Sequence, residues 1–130
     1  MAIAVLATAG CGGSTTLSKK DLQTQAGAVE SFAAEGALVA QAVQEDRTTT
    51  TFVRVHTEYM AKALAKVDSA LGSAHASGSL EDKRVRAAKL AYFVSQDLDE
   101  LNRAPGDRAI AARIRSELEK HAIAAGDLAK

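Results

Sequence analysis

Apolar residues recur at steps of three and four along four long stretches of this chain, with polar residues between them. In the first stretch they fall at Leu22, Ala26, Val29, Phe32, Ala33, Gly36, Val39, Ala40 and Val43. A period near 3.6 lays such positions on one stripe of an α-helix, so the spacing predicts a helix over residues 19–45. Ser18 precedes it as an N-cap, and Asp21, three residues on, completes a capping-box pair. Asp21 also suits the positive end of the helix dipole. Gly36 inside the stripe weakens a helix by up to ~1 kcal/mol relative to Ala. A close helix crossing at Gly36 would offset that loss.

The second stripe is Val53, His56, Met60, Ala63, Leu64, Val67 and Leu71, flanked by Phe52 and Tyr59. It predicts a helix capped by Thr49 or Thr50 and ending near Gly72. Glu58 and Lys62 have the i, i+4 spacing of an exposed ion pair. The small residues at 72–78 form the clearest break in the chain. Ser79 then reads as the cap of a third helix, with Asp82 at the reciprocal position. Its stripe is Ala87, Leu90, Ala91, Val94, Leu98 and Leu101, ending near Asn102. Pro105 and Gly106 stop it, and Asp107 caps a fourth helix with the stripe Ile110, Ala111, Ile114, Leu118, His121, Ala125 and Leu128. Four amphipathic helices of similar length on short links predict an all-α, up-down-up-down four-helix bundle over residues 18–130. An extended helical hairpin completed by a second chain fits the same pattern.

The residues ahead of Ser18 belong to none of these stripes. Positions 2–9 are small and apolar, with Ile3, Val5 and Leu6 supplying the hydrophobicity. The run is far shorter than the roughly 20 residues that span a bilayer, and suits the apolar core of a signal peptide. It leads to Cys11, the one cysteine of the chain, and then to Gly12-Gly13-Ser14-Thr15-Thr16. The stretch Leu6-Ala7-Thr8-Ala9-Gly10-Cys11 resembles the lipobox of bacterial lipoproteins, in which a Leu-like residue and two small residues precede an invariant cysteine. Here Thr8 holds the place usually taken by Leu, and no Lys or Arg precedes Lys19. A start upstream of Met1 would supply the missing basic segment.

The resemblance implies cleavage before Cys11 and acylation of its sulfur with chains such as palmitate. Residues 1–10 are then a signal peptide that precedes the bundle, and 11–17 are the lipid attachment and a flexible tether. Acyl chains contribute about 0.8 kcal/mol per buried methylene, and more than one is needed for stable anchoring. A six-residue tether reaches at most roughly 20 Å, so the helical body would sit close to the head groups.

Composition narrows the remaining choices. The 130 residues carry 16 basic and 16 acidic side chains and no net charge. No basic excess is available to bind phosphate backbones, so nucleic acid is not an expected partner. A single cysteine excludes an internal disulfide framework. Charge is sorted along the third helix: Lys83, Arg84, Arg86 and Lys89 lie early, and Asp97, Asp99 and Glu100 late. Acids at a helix C-terminus oppose its dipole. An antiparallel fourth helix would bring Arg108, Arg113 and Arg115 opposite them.

The chain has three histidines, His56, His75 and His121. His56 and His121 fall on apolar stripes, which invites a metal reading. The Glu-x-x-His spacing of di-iron bundles is missing; the nearest element is Glu117 with His121, beside Glu30 and Glu35 on the first helix. Counting from the turns sets His56 level with about Val39, and His121 level with about Val29 and Lys89. The two imidazoles are then ~12 Å apart along the bundle. No metal ligand and no cofactor is expected. No Cys-x-x-Cys-His, phosphate loop or nucleophile-bearing turn occurs. The expectation is a non-catalytic lipoprotein of the cell envelope. It would lie on the extracytoplasmic side of a bacterial membrane, anchored through Cys11, and present a helical face or loop end to an envelope protein. A binding protein holding a small apolar ligand or a metal ion between its helices is the alternative.

Overall fold

The computed structural model describes residues 16–130, and within them the periodic stretches fold as α1 (Lys19–Gln44), α2 (Thr50–Ser73), α3 (Ser79–Arg103) and α4 (Arg108–Leu128). Cys11 and the rest of the leader lie outside the described residues. Three of the four helix starts are set by local chemistry. Ser18 Oγ accepts the Asp21 N–H at 3.1 Å while Asp21 Oδ2 accepts the Ser18 N–H at 3.2 Å, closing the capping box. Thr49 accepts the Phe52 N–H, and Asp107 accepts the Ile110 N–H.

The third start differs from expectation. Ser79 lies inside the first turn of α3, and the residue at the cap position is Gly78, with φ 59° and no side chain to offer. That φ is open to glycine at little cost. The work expected of Ser79 and Asp82 is done by Glu81. Its carboxylate turns back to accept the Ala76 N–H at 3.2 Å and is gripped by Arg84 at 2.5 and 2.8 Å. Arg84 also donates to the Leu71 carbonyl at the end of α2, at 2.8 Å. One pair thus ties the α2–α3 link to both helices.

Each helix returns antiparallel to the one before it. Arg84 of α3 meets the end of α2, Asn102 near the end of α3 donates to Arg54 O at 2.9 Å near the start of α2, and Gln23 at the start of α1 donates to Lys130 O at 2.9 Å. The four pack as a bundle, in which α1 also touches α3 across the interior while α2 and α4 do not meet. Side-chain size explains the asymmetry. The inner stripes of α1 and α3 carry Ala26, Ala33, Gly36, Ala37, Ala40, Ala87 and Ala91, whereas α2 buries Val53, Met60, Leu64, Val67 and Leu71. Small faces let α1 and α3 close the short diagonal. Gly36 is the tightest point: a Cβ there would stand 2.8 Å from Leu98 Cδ2 and 3.0 Å from Leu118 Cδ1.

The core runs the length of the bundle, with Leu22, Met60, Leu64, Leu71, Leu98, Leu101, Ile114 and Leu118 fully buried. Each contributes about 1.5–3 kcal/mol by leaving water. Phe32, Leu90 and Ile110, expected on the inner stripes, are only half-buried at its margin. Thr57 is the one buried polar residue among those described; its hydroxyl donates to Val53 O at 2.7 Å and accepts from Asn102 Nδ2 at 2.9 Å.

The expected charge register is met in part. Arg113 of α4 pairs with Glu100 of α3. Arg108 pairs instead with Asp46 in the α1–α2 loop at 3.1 Å, and Arg115 with Glu119 of its own helix at 2.8 Å. Only one of the three arginines therefore answers the acidic end of α3, because α4 begins beside the other loop.

Candidate functional site

Two regions could carry function: the end of the bundle where the chain enters, and the polar pairs set into the helix seams. At the entry end, Leu17 is buried against the core and its N–H donates to the His75 carbonyl at 2.7 Å. Thr16 pairs with His75 as an isolated parallel bridge. Leu17, assigned by its sequence neighbours to the tether, is thus part of the body. The α2–α3 link beside it is held by Glu81 and Arg84. Arg84's guanidinium holds the Glu81 carboxyl down at about 2, against a smaller upward push from burial. The last residues of α4 lie at this same end, as the Gln23–Lys130 hydrogen bond requires. His75 itself is exposed, as expected of a linker residue.

In the seam of α1 and α2, His56 Nε2 and Glu35 Oε1 are 2.6 Å apart, which requires a proton between them. The imidazole stacks on Phe52 with ring centres 5.1 Å apart. In the seam of α3 and α4, His121 Nε2 stands 3.4 Å from Asp97 Oδ2 and stacks on Phe93 at 5.8 Å. The His121–Asp97 separation is within ion-pair range, but no hydrogen bond joins them, and Asp97 Oδ2 is buried without a donor. Burial pushes Asp97 up to about 6, helped by the charge of Glu117 and opposed by Arg113. Burial lowers His121, opposed by Glu117. A carboxylate in this setting costs stability unless it takes a proton.

The two imidazoles do not stand where counting from the turns places them. Glu35, the partner of His56, precedes Gly36, which abuts Leu98 and Leu118. Asp97, the partner of His121, precedes Leu98, and His121 follows Leu118 by one turn. Both histidines therefore flank the same crossing, at heights differing by about one turn, ~5 Å, on different seams. Among the described residues no three His, Cys, Asp or Glu side chains converge for a metal ion. Glu117 is turned to Lys120 at 3.0 Å, and Glu30 packs against Gly126.

Sequence reasoning passed over Asp97 as one of a run of acids. Its position one residue before Leu98, at the edge of an apolar stripe, was the available signal. It also passed over Leu38 and Ile123, 66% and 69% exposed, which border an open groove of about 470 Å³ between α1 and α4, lined besides by Ala34, Ala37, Ala122, Gln41 and Glu119. Both lie off their helical stripes, where a large aliphatic residue has no core to enter.

No helix among the described residues is long and apolar enough to cross a membrane. No family model, curated protein or solved structure matches the chain.

Proposed function

We propose that this chain is a lipoprotein of the bacterial cell envelope, held by acyl chains on Cys11, whose bundle is a non-catalytic structural or protein-interaction module. The observation that carries the reading is the place of Thr16 and Leu17. They are fixed at one end of the bundle, against the α2–α3 link, only five and six residues after the lone cysteine. A lipid on Cys11 would keep that end within about 20 Å of the head groups and leave the α1–α2 and α3–α4 loops pointing away. The polar groups of the seams support the second half of the reading. Asn102, Thr57, Arg84, Glu81, Arg113 and Glu100 join helix to helix or helix to link. The interior is filled by its own aliphatic side chains, and the grooves lie on the outside.

Metabolic labelling with a fatty-acid analogue tests the anchor, comparing the natural chain with Cys11→Ser in cells where both are exported. Label and membrane fractionation are expected to depend on Cys11. Label that survives the substitution, or a chain found in the cytosol with residues 1–10 intact, would overturn the proposal.

A further inference from the structure

We infer that Asp97 and His121 hold one proton between them and act as a proton-operated latch on the α3–α4 seam. The two side chains come from different helices and are only 15% and 19% exposed. His121 Nε2 stands 3.4 Å from Asp97 Oδ2, just beyond a hydrogen bond, and that oxygen is buried with no donor. A small tilt of the ring closes the gap.

Charge decides how many protons the pair keeps. With no added proton it carries one negative charge, even where a neutral imidazole donates from Nε2. With one it carries none, whether as carboxylate and imidazolium or as carboxylic acid and imidazole. With two it carries one positive charge. Burial penalises both charged forms, so the seam closes best on a single proton. The neighbours are paired among themselves. Arg113 and Glu117 of α4 and Glu100 of α3 act on Asp97, and Glu117 and Lys120 act on His121. Arg113 pairs with Glu100, and Lys120 with Glu117 at 3.0 Å. Lys89 lies over the Phe93 ring, 5.8 Å from its centre. On α1 and α2, Glu35 is turned to His56, Glu30 to Gly126 and Glu58 to Lys62.

The seam is built to part. α4 packs chiefly on α1, and its contact with α3 is the thinner one. The imidazole stacks on Phe93, which is itself half-exposed, so the ring has an open side to leave by. Once the pair has lost its proton, the ring leaves Phe93 and water reaches the carboxylate, while α4 keeps its hold on α1. Burial pushes the Asp97 carboxyl up to about 6, which sets this change near pH 6. Burial lowers His121, so the second proton joins at lower pH. None of this rests on the lipid anchor.

NMR of the full chain, with labelled histidine rings and carboxyl carbons, follows both groups from about pH 4 to 8. His121 and the Asp97 carboxyl are expected to report the same two inflections, the upper one near 6, because the two steps belong to the pair. The contact between the Phe93 and His121 rings should be lost above the upper step. Asp97→Asn should lower the His121 midpoint by at least about 0.5 pH unit and keep the ring contact at pH 8. His56, on the other seam, is the internal control and should not respond. His121→Gln, which offers a donor but takes no charge, should leave the Asp97 carboxyl with one inflection. A His121 midpoint that Asp97→Asn leaves unmoved, an Asp97 carboxyl with a single inflection in the natural chain, or a ring contact unchanged across the range would each overturn the inference.

Discussion

Gly36 of α1 and Leu98 of α3 meet so closely that a methyl group on Gly36 would stand 2.8 Å from Leu98 Cδ2. Leu98 and Leu118, the other neighbour, are both fully buried, so their tips must shift within the core to admit it. Gly36→Ala gains up to ~1 kcal/mol of helix propensity, but overpacking a filled core costs about 1–3 kcal/mol. A net loss of about 1 kcal/mol is expected, lowering Tm by roughly 3–6 °C. Gly27, on the same helix, has open space where its Cβ would go. Gly27→Ala should therefore raise Tm. If both substitutions shift thermal unfolding in the same direction, the close crossing is not what fixes Gly36.

That contrast separates what the sequence could reveal from what it could not. Caps and stripes are local, so Ser18, Thr49, Asp107 and most buried positions are legible from spacing alone. Heights are not local. Counting from the turns treats all four helices as starting level, and the error accumulates to about a turn by His121. Arg108 fails for the same reason: its partner depends on which loop lies beside the start of α4. Ser79 looked like a cap because Ser-x-x-Asp is a capping pattern. The backbone entered α3 through Gly78 instead, and Glu81 was drawn away by Ala76 and Arg84. Asp97 was hidden because its burial depends on how far α4 wraps over α3.

Asp97 gives the second prediction. Its carboxyl is pushed up to about 6, chiefly by burial, whereas the unfolded chain holds it near 4. The native state therefore binds this proton more tightly than the unfolded state, and stability referable to Asp97 falls as pH rises from about 4 through 6. Asp97→Asn removes the charge and keeps the shape. It should stabilise the protein at pH 7.5 by on the order of 1 kcal/mol, a value discounted for the partial exposure of the site. The gain should shrink steadily toward pH 4. Thermal unfolding across that range decides it; a gain that is flat or larger in acid would show that burial does not push the Asp97 carboxyl up.

Glu81 titrates with the opposite sign. Arg84 holds its carboxyl at about 2, below its ordinary value near 4.5, so the stability it contributes is present above pH 4.5 and is lost as pH falls toward 2. Glu81→Gln should lower Tm at pH 7 and approach the natural protein at pH 2–3. The same substitution weakens the acceptor of the Ala76 N–H, so that amide should exchange faster with deuterium at neutral pH. Unchanged protection at Ala76 would mean the α2–α3 link is held by something other than this carboxylate.

The end of α1 supplies the last prediction. Asp46 has φ 56°, the one described non-glycine residue in the left-handed region. Arg47 N–H bonds Ala42 O at 2.9 Å and Asp46 N–H bonds Val43 O at 3.2 Å. This pair of bonds is a Schellman ending, in which the left-handed position is normally glycine. Asp tolerates that backbone better than most residues, yet still at a cost that glycine avoids. Asp46→Gly should therefore stabilise the fold by about 0.5 kcal/mol, while Asp46→Val should destabilise it by about 1–2 kcal/mol. The exposed Asp46–Arg108 pair opposes the first effect by a fraction of a kcal/mol. Denaturant titration measures both variants, and at about 0.5 M salt, where exposed pairs are screened, it should leave the glycine variant ahead by its full margin. Equal stabilities for the glycine and valine variants would mean that backbone conformation does not govern this position.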